Sequence, residues 1–252
     1  MLVFDFQLSK SSDFFQNLKS AWEFAQKHWL VLYHPEKKRK EIVAYGTIGK
    51  LLRLVHELDD EGIHRLAVAA VANIAMDPAH QSVVVEEGWL PILVRLSQEA
   101  EDPQTLRMVA GALANLCANP ELKERMDSAG VIEALIGLSS TQHPDVRVQV
   151  ARGVANWVVK NNKADKFIDA GGLPCLIAMA GSASDINVKK HVGIALYHIV
   201  LSCAGTVIPI LEQLGGLQPL EDMKKCASSD VSSLATRTLA LLDSARSQMH
   251  SA

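Results

Sequence analysis

Apolar residues in this chain recur at helical spacing in short runs, each closed by a small break. Over residues 119–160 the pattern predicts three helices in succession. The first is capped by Asn119, carries Pro120 where its missing N–H costs nothing, and runs through Glu121-Leu-Lys-Glu-Arg-Met126. It stops at Gly130, a residue free to take a left-handed cap. The second, Val131-Ile-Glu-Ala-Leu-Ile-Gly-Leu138, is apolar on nearly every face and reads as buried. After the break Ser139-Ser-Thr-Gln-His143, Pro144 opens a longer third helix to about Lys160. Its Val146, Val150, Val154 and Trp157 form a core-facing stripe.

The rest of the chain reuses this punctuation. Asp77-Pro78 opens another first helix, Asp102-Pro103 another third helix, and Asp60 and Asp185 stand at equivalent capping positions. Glycines fall at Gly46, Gly88, Gly130, Gly171 and Gly215, with gaps of 42, 42, 41 and 44. A second ladder runs through Val71-Ala-Asn-Ile-Ala75, Leu113-Ala-Asn-Leu-Cys117, Val154-Ala-Asn-Trp-Val158 and Leu196-Tyr-His-Ile-Val200. Its third residues, Asn73, Asn115, Asn156 and His198, are 42, 41 and 42 apart. Two independent marks at one period predict an all-α solenoid of about five three-helix units, roughly 36–77, 78–118, 119–160, 161–203 and 204–248. No unit could bury its apolar faces alone, so the units stack on one continuous core. Residues 1–35 lack the punctuation and hold eight of the thirteen aromatic residues. The division is therefore an atypical segment over 1–35, which fits a cap on the open end, and a repeat domain over 36–248.

Composition narrows the function classes. With 48% hydrophobic residues and a net charge of −3 over 252 residues, the chain has the apolar content of a packed protein and no global basic field for nucleic acid. No run of 18 or more apolar residues occurs, so no membrane span is expected. Cys117, Cys175, Cys203 and Cys226 contain no C-x-x-C pair, which argues for reduced thiols in a packed protein over a zinc or redox site. The phosphate-loop, dinucleotide, nucleophile-elbow and H-E-x-x-H templates are all missing. His191 and His198 share a helix face at i, i+7, too far apart for a metal pair. The expectation is a non-enzyme with no cofactor and no metal.

The 42-residue, three-helix unit with small residues before an asparagine, together with the turns Ala170-Gly-Gly-Leu-Pro174 and Glu87-Gly-Trp-Leu-Pro91, resembles the armadillo repeat. Residues 100–117, with Ile74-Ala-Met76 before and Val150-Ala-Arg-Gly-Val-Ala-Asn156 after, are most similar to the C-terminal armadillo domain of plant armadillo-repeat kinesins. The resemblance implies a right-handed superhelix whose third helices line a concave groove, and a role in protein–protein interaction. It implies that Asn73, Asn115 and Asn156 grip the backbone of an extended partner segment. An amide suits that task because it offers donor and acceptor whatever side chains the partner carries. His198 departs from the ladder and Leu241 ends it. Eight residues before the ladder positions stand Arg65, Arg107, Val148 and Lys190, and Arg152 lies one turn before Asn156. These cations favour a partner with acidic side chains, and equally fit a solvated helix face.

Nuclear import adaptors of the same fold carry tryptophan one turn before each ladder asparagine. Here those positions are Ala69, Gly111, Arg152 and Ile194, which argues against a receptor for basic signals. The kinesin resemblance implies a second reading, a cytoskeletal regulator docking on microtubules or a kinesin-related partner without motor activity. Cytoplasmic placement, with association to the cytoskeleton, follows from it. The cluster Lys37-Lys-Arg-Lys40 also fits a nuclear import signal. Oligomeric state is not encoded in any of these patterns.

Overall fold

A computed structural model of the chain describes residues 43, 46–161 and 163–250. Residues 1–35 and the Lys37–Lys40 cluster lie outside the described residues. Among those described, all regular structure is helical. The helices are α1 (Thr47–Glu57), α2 (Glu61–Ile74), α3 (Pro78–Glu86), α4 (Trp89–Glu99) and α5 (Pro103–Leu116). There follow a 3₁₀ turn (Pro120–Leu122), α6 (Lys123–Ser128), α7 (Val131–Leu138), α8 (Pro144–Asn161), α9 (Ala164–Asp169) and α10 (Gly172–Ser182). The last are α11 (Ile186–Gln213), α12 (Leu217–Lys224) and α13 (Ser229–His250).

The capping residues read from the sequence act as caps. Asp60 Oδ1 accepts from the Ile63 N–H at 2.9 Å, and Asp77 Oδ1 accepts from Ala79 at 3.1 Å. Asn119 Oδ1 accepts from Glu121 at 3.0 Å, and Asp185 Oδ1 from Asn187 at 2.6 Å. Each satisfies one of the N–H groups a helix start leaves open. All five ladder glycines have positive φ, from 64° at Gly46 to 92° at Gly88. At Gly130 (φ 74°) the chain turns from α6 straight into α7, a left-handed step that a Cβ would strain.

The third helices of successive units stack side by side in the order α2, α5, α8, α11, α13, and they carry most of the inter-unit packing. Second helices stack behind them, α4 on α7 and α10 on α12. One core runs through the whole array. Val146, Val150, Val154 and Trp157 of α8 are all at most 2% exposed, as the stripe predicted, and so are Leu135 and Val131 of α7.

One junction differs from the others. The third helix of the fourth unit and the first helix of the fifth join as α11, 28 residues long, broken only by a non-helical Cys203 (φ −137°, ψ 35°). The kink falls at the unit boundary read from the repeat, and the helix resumes through Gly205 and Pro209 without a loop. By length and composition α11 could also cross a membrane, with mean hydropathy 2.0 over its most apolar 18 residues. A whole helix therefore meets that standard although no unbroken apolar run does. It packs against α8, α10 and α13 and carries Lys189, Lys190, His191 and His198, as a core helix of the array does.

Charged side chains staple neighbouring units. Asp127 of α6 accepts from Lys166 Nζ of α9 at 2.6 Å and from Lys163 Nζ, which also reaches Glu124 at 3.5 Å. Burial alone would raise the Asp127 carboxyl, but the bonds and charges of the two lysines outweigh it and hold its pKa below the usual value. A carboxyl depressed in the folded state stabilises above its unfolded pKa of about 3.9 and loses that contribution as pH falls through the lower folded value. Asp127→Asn is therefore expected to cost about 2 kcal/mol at pH 7. Urea unfolding at pH 7, 5 and 3 should find the gap from the natural chain closing at the lowest pH.

Candidate functional site

The ladder residues occupy one level on the exposed faces of the third helices. Asn73 (α2), Asn115 (α5), Asn156 (α8) and His198 (α11) are each half-buried among neighbours that are almost all buried. Two of the amides are turned toward the preceding unit. Asn115 Nδ2 donates to the Ala72 carbonyl at 2.9 Å, and Asn156 Nδ2 donates to the Ala114 carbonyl at 2.9 Å.

Those carbonyls are the ones that need a partner. At the end of α2 the Val71, Asn73 and Ile74 carbonyls take the Ala75, Met76 and Asp77 N–H groups, and Ala72 is passed over. At the end of α5 the Leu113, Asn115 and Leu116 carbonyls take Cys117, Ala118 and Asn119, and Ala114 is passed over. Helix ends leave such acceptors open, and each ladder amide closes the one on the helix before it. Gln81, 3% exposed, adds a second bridge, with Nε2 donating to Ala75 O at 2.8 Å and Asn115 O at 3.0 Å. Among the described residues Asn73 has no equivalent bond. Each bridging amide keeps one N–H, and Asn156 keeps its oxygen as well.

The cations differ in how they are held. Arg65 Nη1 lies 3.4 Å from Asp102 Oδ2, and Lys190 Nζ lies 2.7 Å from Asp230 Oδ2, so both are met by carboxylates of the next unit. Asp102 also caps α5 through Thr105 N at 3.0 Å and Thr105 Oγ1 at 2.9 Å. Burial pushes against its charge, but these bonds and Arg65 hold its carboxyl below the ordinary value. Arg107 Nε donates to Gln104 Oε1 at 3.1 Å on its own helix. Arg152 is the hub of the face. Its Nη1 donates to Asn115 Oδ1 at 2.8 Å, its Nε and Nη2 reach Gln149 Oε1 at 3.1 and 2.7 Å, and Nη2 also reaches Gly111 O at 3.4 Å. It thus crosses from α8 to α5 and reaches the Gly111 carbonyl.

Residues outside the sequence reading complete the face. Gln149 holds the Arg152 fork. Arg237 of α13 stacks 4.4 Å over the Tyr197 ring and donates to Tyr197 Oη at 2.7 Å. The pKa of His191 is lowered first by burial, then by Arg152 and Lys190; that of His198 is lowered by burial and by Arg237. Tyr197 meets His198 edge to face at 5.3 Å. Gln149 lies three residues from Arg152 and Arg237 lies 40 from Tyr197, and the repeat pattern marks neither contact. Among the described residues no three His, Cys, Asp or Glu side chains converge as a metal site requires. Burial pushes the Cys117 thiol up to about 12, against the opposing pull of Arg152.

Comparison with known proteins agrees with this architecture. The armadillo/β-catenin-like repeat family matches residues 77–118. The kinesin-like protein KIN-UB of Oryza sativa subsp. japonica is 37% identical over 117 residues, and its Arabidopsis thaliana counterpart is 36% identical over 109. Those matches take in 42% and 38% of this chain but 13% and 12% of the relatives, so the similarity is confined to a small part of their length. A computationally designed armadillo repeat protein for modular peptide recognition superposes with a TM-score of 0.79, at 25% identity, over 90% of this chain and 93% of its own. The matched repeat, the repeated caps and glycine turns, and the stacked third helices agree: the described chain is an all-α armadillo-repeat solenoid.

Proposed function

We propose that the chain, through its repeat array over 36–248, is a non-catalytic protein-interaction module. It holds an extended partner segment against the face formed by its third helices. The observation that carries this reading is the ladder itself: Asn73, Asn115 and Asn156 stand at one level with donors left over after the solenoid's own bonds are made. A row of amides at a fixed repeat suits an extended backbone, whose N–H and C=O groups need partners whatever its sequence. Beside His198 at the fourth rung, Arg65 and Lys190 are paired with Asp102 and Asp230, whereas Arg107 and Arg152 are bonded to neutral groups and favour a partner with acidic side chains. No bond-making group is needed. A solved armadillo design made for modular peptide recognition supports the use of this fold for peptides.

Affinity capture tests it. The natural chain and an Asn73→Ala/Asn115→Ala/Asn156→Ala variant are compared at matched helicity, with the bound proteins identified. Partners held by the natural chain and lost by the variant support the ladder as the binding surface. Equal capture by both moves binding to another face.

The likeness to kinesin-like relatives favours a second reading, a cytoskeletal regulator in the cytoplasm that docks on microtubules or a kinesin-related partner. Cosedimentation with microtubules that weakens as salt rises would support it, and no pelleting at low salt would remove it.

A further inference from the structure

Arg152 stands apart from the other cations of the ladder face. Arg65 and Lys190 are each met by a carboxylate, whereas among the described residues the partners of Arg152 are neutral: Asn115 Oδ1, Gly111 O and Gln149 Oε1. Burial works against its charge and lowers its pKa, yet a guanidinium stays protonated at physiological pH. A half-buried permanent cation with no counter-ion among the described residues is unfavourable in the free protein, and an incoming anion would relieve that.

Donor accounting says which anion fits. Of the five guanidinium N–H groups, the bonds to Gln149, Gly111 and Asn115 use four, leaving one on Nη1. One turn further along α8, Asn156 spends one amide N–H on Ala114 O and keeps the other. Residues four apart on a helix are surface neighbours. Two donors on one face match the two oxygens of a carboxylate. A phosphate would ask for a third donor, and the nearby Lys190 already pairs with Asp230.

Helix α11 packs on α8, and after burial the Arg152 charge is the next cause that lowers the pKa of His191 on α11. The charges acting on His191 are Arg152 from α8 and Lys190 from its own helix, with Asp230 of α13 behind Lys190. Met223 of α12 and Leu234 of α13 line the same stretch at Gly193, and Asp165 of α9 acts further along, at Cys203. A carboxylate arriving among these groups would favour the imidazolium.

We propose that Arg152, Asn156 and His191 form a carboxylate receptor that seats one aspartate or glutamate side chain of the extended partner segment. The assignment rests on the groove reading above and names its chemistry at one rung. It also makes binding proton-linked: affinity for an acidic segment rises as pH falls toward 5.5, because the bound state takes up a proton on His191.

A phage-displayed random dodecapeptide library panned on the natural chain provides the probe. The best peptide is then labelled and followed by fluorescence anisotropy, together with its Gln-for-Glu or Asn-for-Asp counterpart. Selected peptides should share an acidic residue at one position. Amidating that residue, or making Arg152→Gln, should each weaken binding about tenfold or more, with no further loss when the two are combined. Arg152→Lys should restore part of the affinity, and His191→Gln should flatten the pH dependence between 7.5 and 5.5. The peptide-side change leaves the protein untouched, so a misfolded variant cannot mimic the result. A consensus without an acidic position, or full affinity in Arg152→Gln for peptides that the triple asparagine variant no longer binds, overturns the receptor and leaves the groove standing. Failure to enrich any peptide, or binders indifferent to the triple variant, overturns both.

Discussion

Trp157→Ala is expected to lower the free energy of unfolding by about 3–5 kcal/mol, one of the largest single-residue effects in the chain. Trp157 is fully buried on α8, which packs on α5 before it and α11 after it. Truncation there removes a large ring from the middle of a core shared by three units. Because each unit is stable only against its neighbours, the loss should also divide the array. Urea unfolding should move to a lower midpoint and broaden into two steps. Hydrogen exchange should find α8 and α11 exposed before α2 and α5. Phenylalanine at the same position separates ring volume from the indole N–H. Trp157 Nε1 is buried without a partner among the described residues, whereas Trp89 Nε1 donates to Ile48 O at 3.1 Å. Losing an unpaired N–H offsets part of the lost volume, so Trp157→Phe should cost less than about 1.5 kcal/mol. Trp89→Phe gives up a made bond and strands the Ile48 carbonyl, so it should cost more. The reverse order of the two Phe variants would mean that Trp157 Nε1 is hydrogen-bonded after all.

That contrast also marks where the sequence stops being informative. Caps, glycine turns and the α8 stripe are local: Asp60, Asp77, Asn119 and Asp185 act on backbone two or three residues away, and Gly130 needs only its own φ. Each therefore leaves a mark in the chain that the period repeats. The ladder asparagines were visible for the same reason, since they recur, but the direction of their amides was not. Whether Asn115 faces a ligand or the Ala72 carbonyl depends on how far one unit rotates against the next, and on which helix-end acceptors the backbone leaves open. Arg152 was legible as a cation one turn from Asn156. Its role as a bridge to Asn115 and Gly111 was not, because those partners are 37 and 41 residues away. Tyr197 stands where the other ladder pentapeptides carry alanine, so periodicity could not single out its contact with Arg237. The long α11 escaped for the opposite reason: the repeat predicted a break at 203, and the chain passes it with a kink instead of a loop.

The double duty of the ladder leads to the largest expected effect on binding. Replacing all three asparagines with alanine should abolish groove binding, since each rung contributes on the order of 1–3 kcal/mol when a partner backbone is paired. The single variants should not be equivalent. Asn115→Ala leaves the Ala72 carbonyl without its donor and takes from Arg152 the shorter of its two bonds to α5. It should therefore weaken binding about tenfold or more and also destabilise by about 1–3 kcal/mol. Asn156→Ala strands the Ala114 carbonyl but disturbs no cation bond, so it should destabilise by less. Asn73→Ala removes an amide with no partner among the described residues, and should weaken binding while leaving the unfolding midpoint nearly unchanged. Measuring peptide affinity and urea midpoint on the same three proteins separates the two roles. If Asn73→Ala loses stability as Asn115→Ala does, the amides are structural bridges at every rung. If Asn115→Ala and Asn156→Ala lose stability but keep full affinity, the partner backbone is held by other groups, and the ladder serves the solenoid alone.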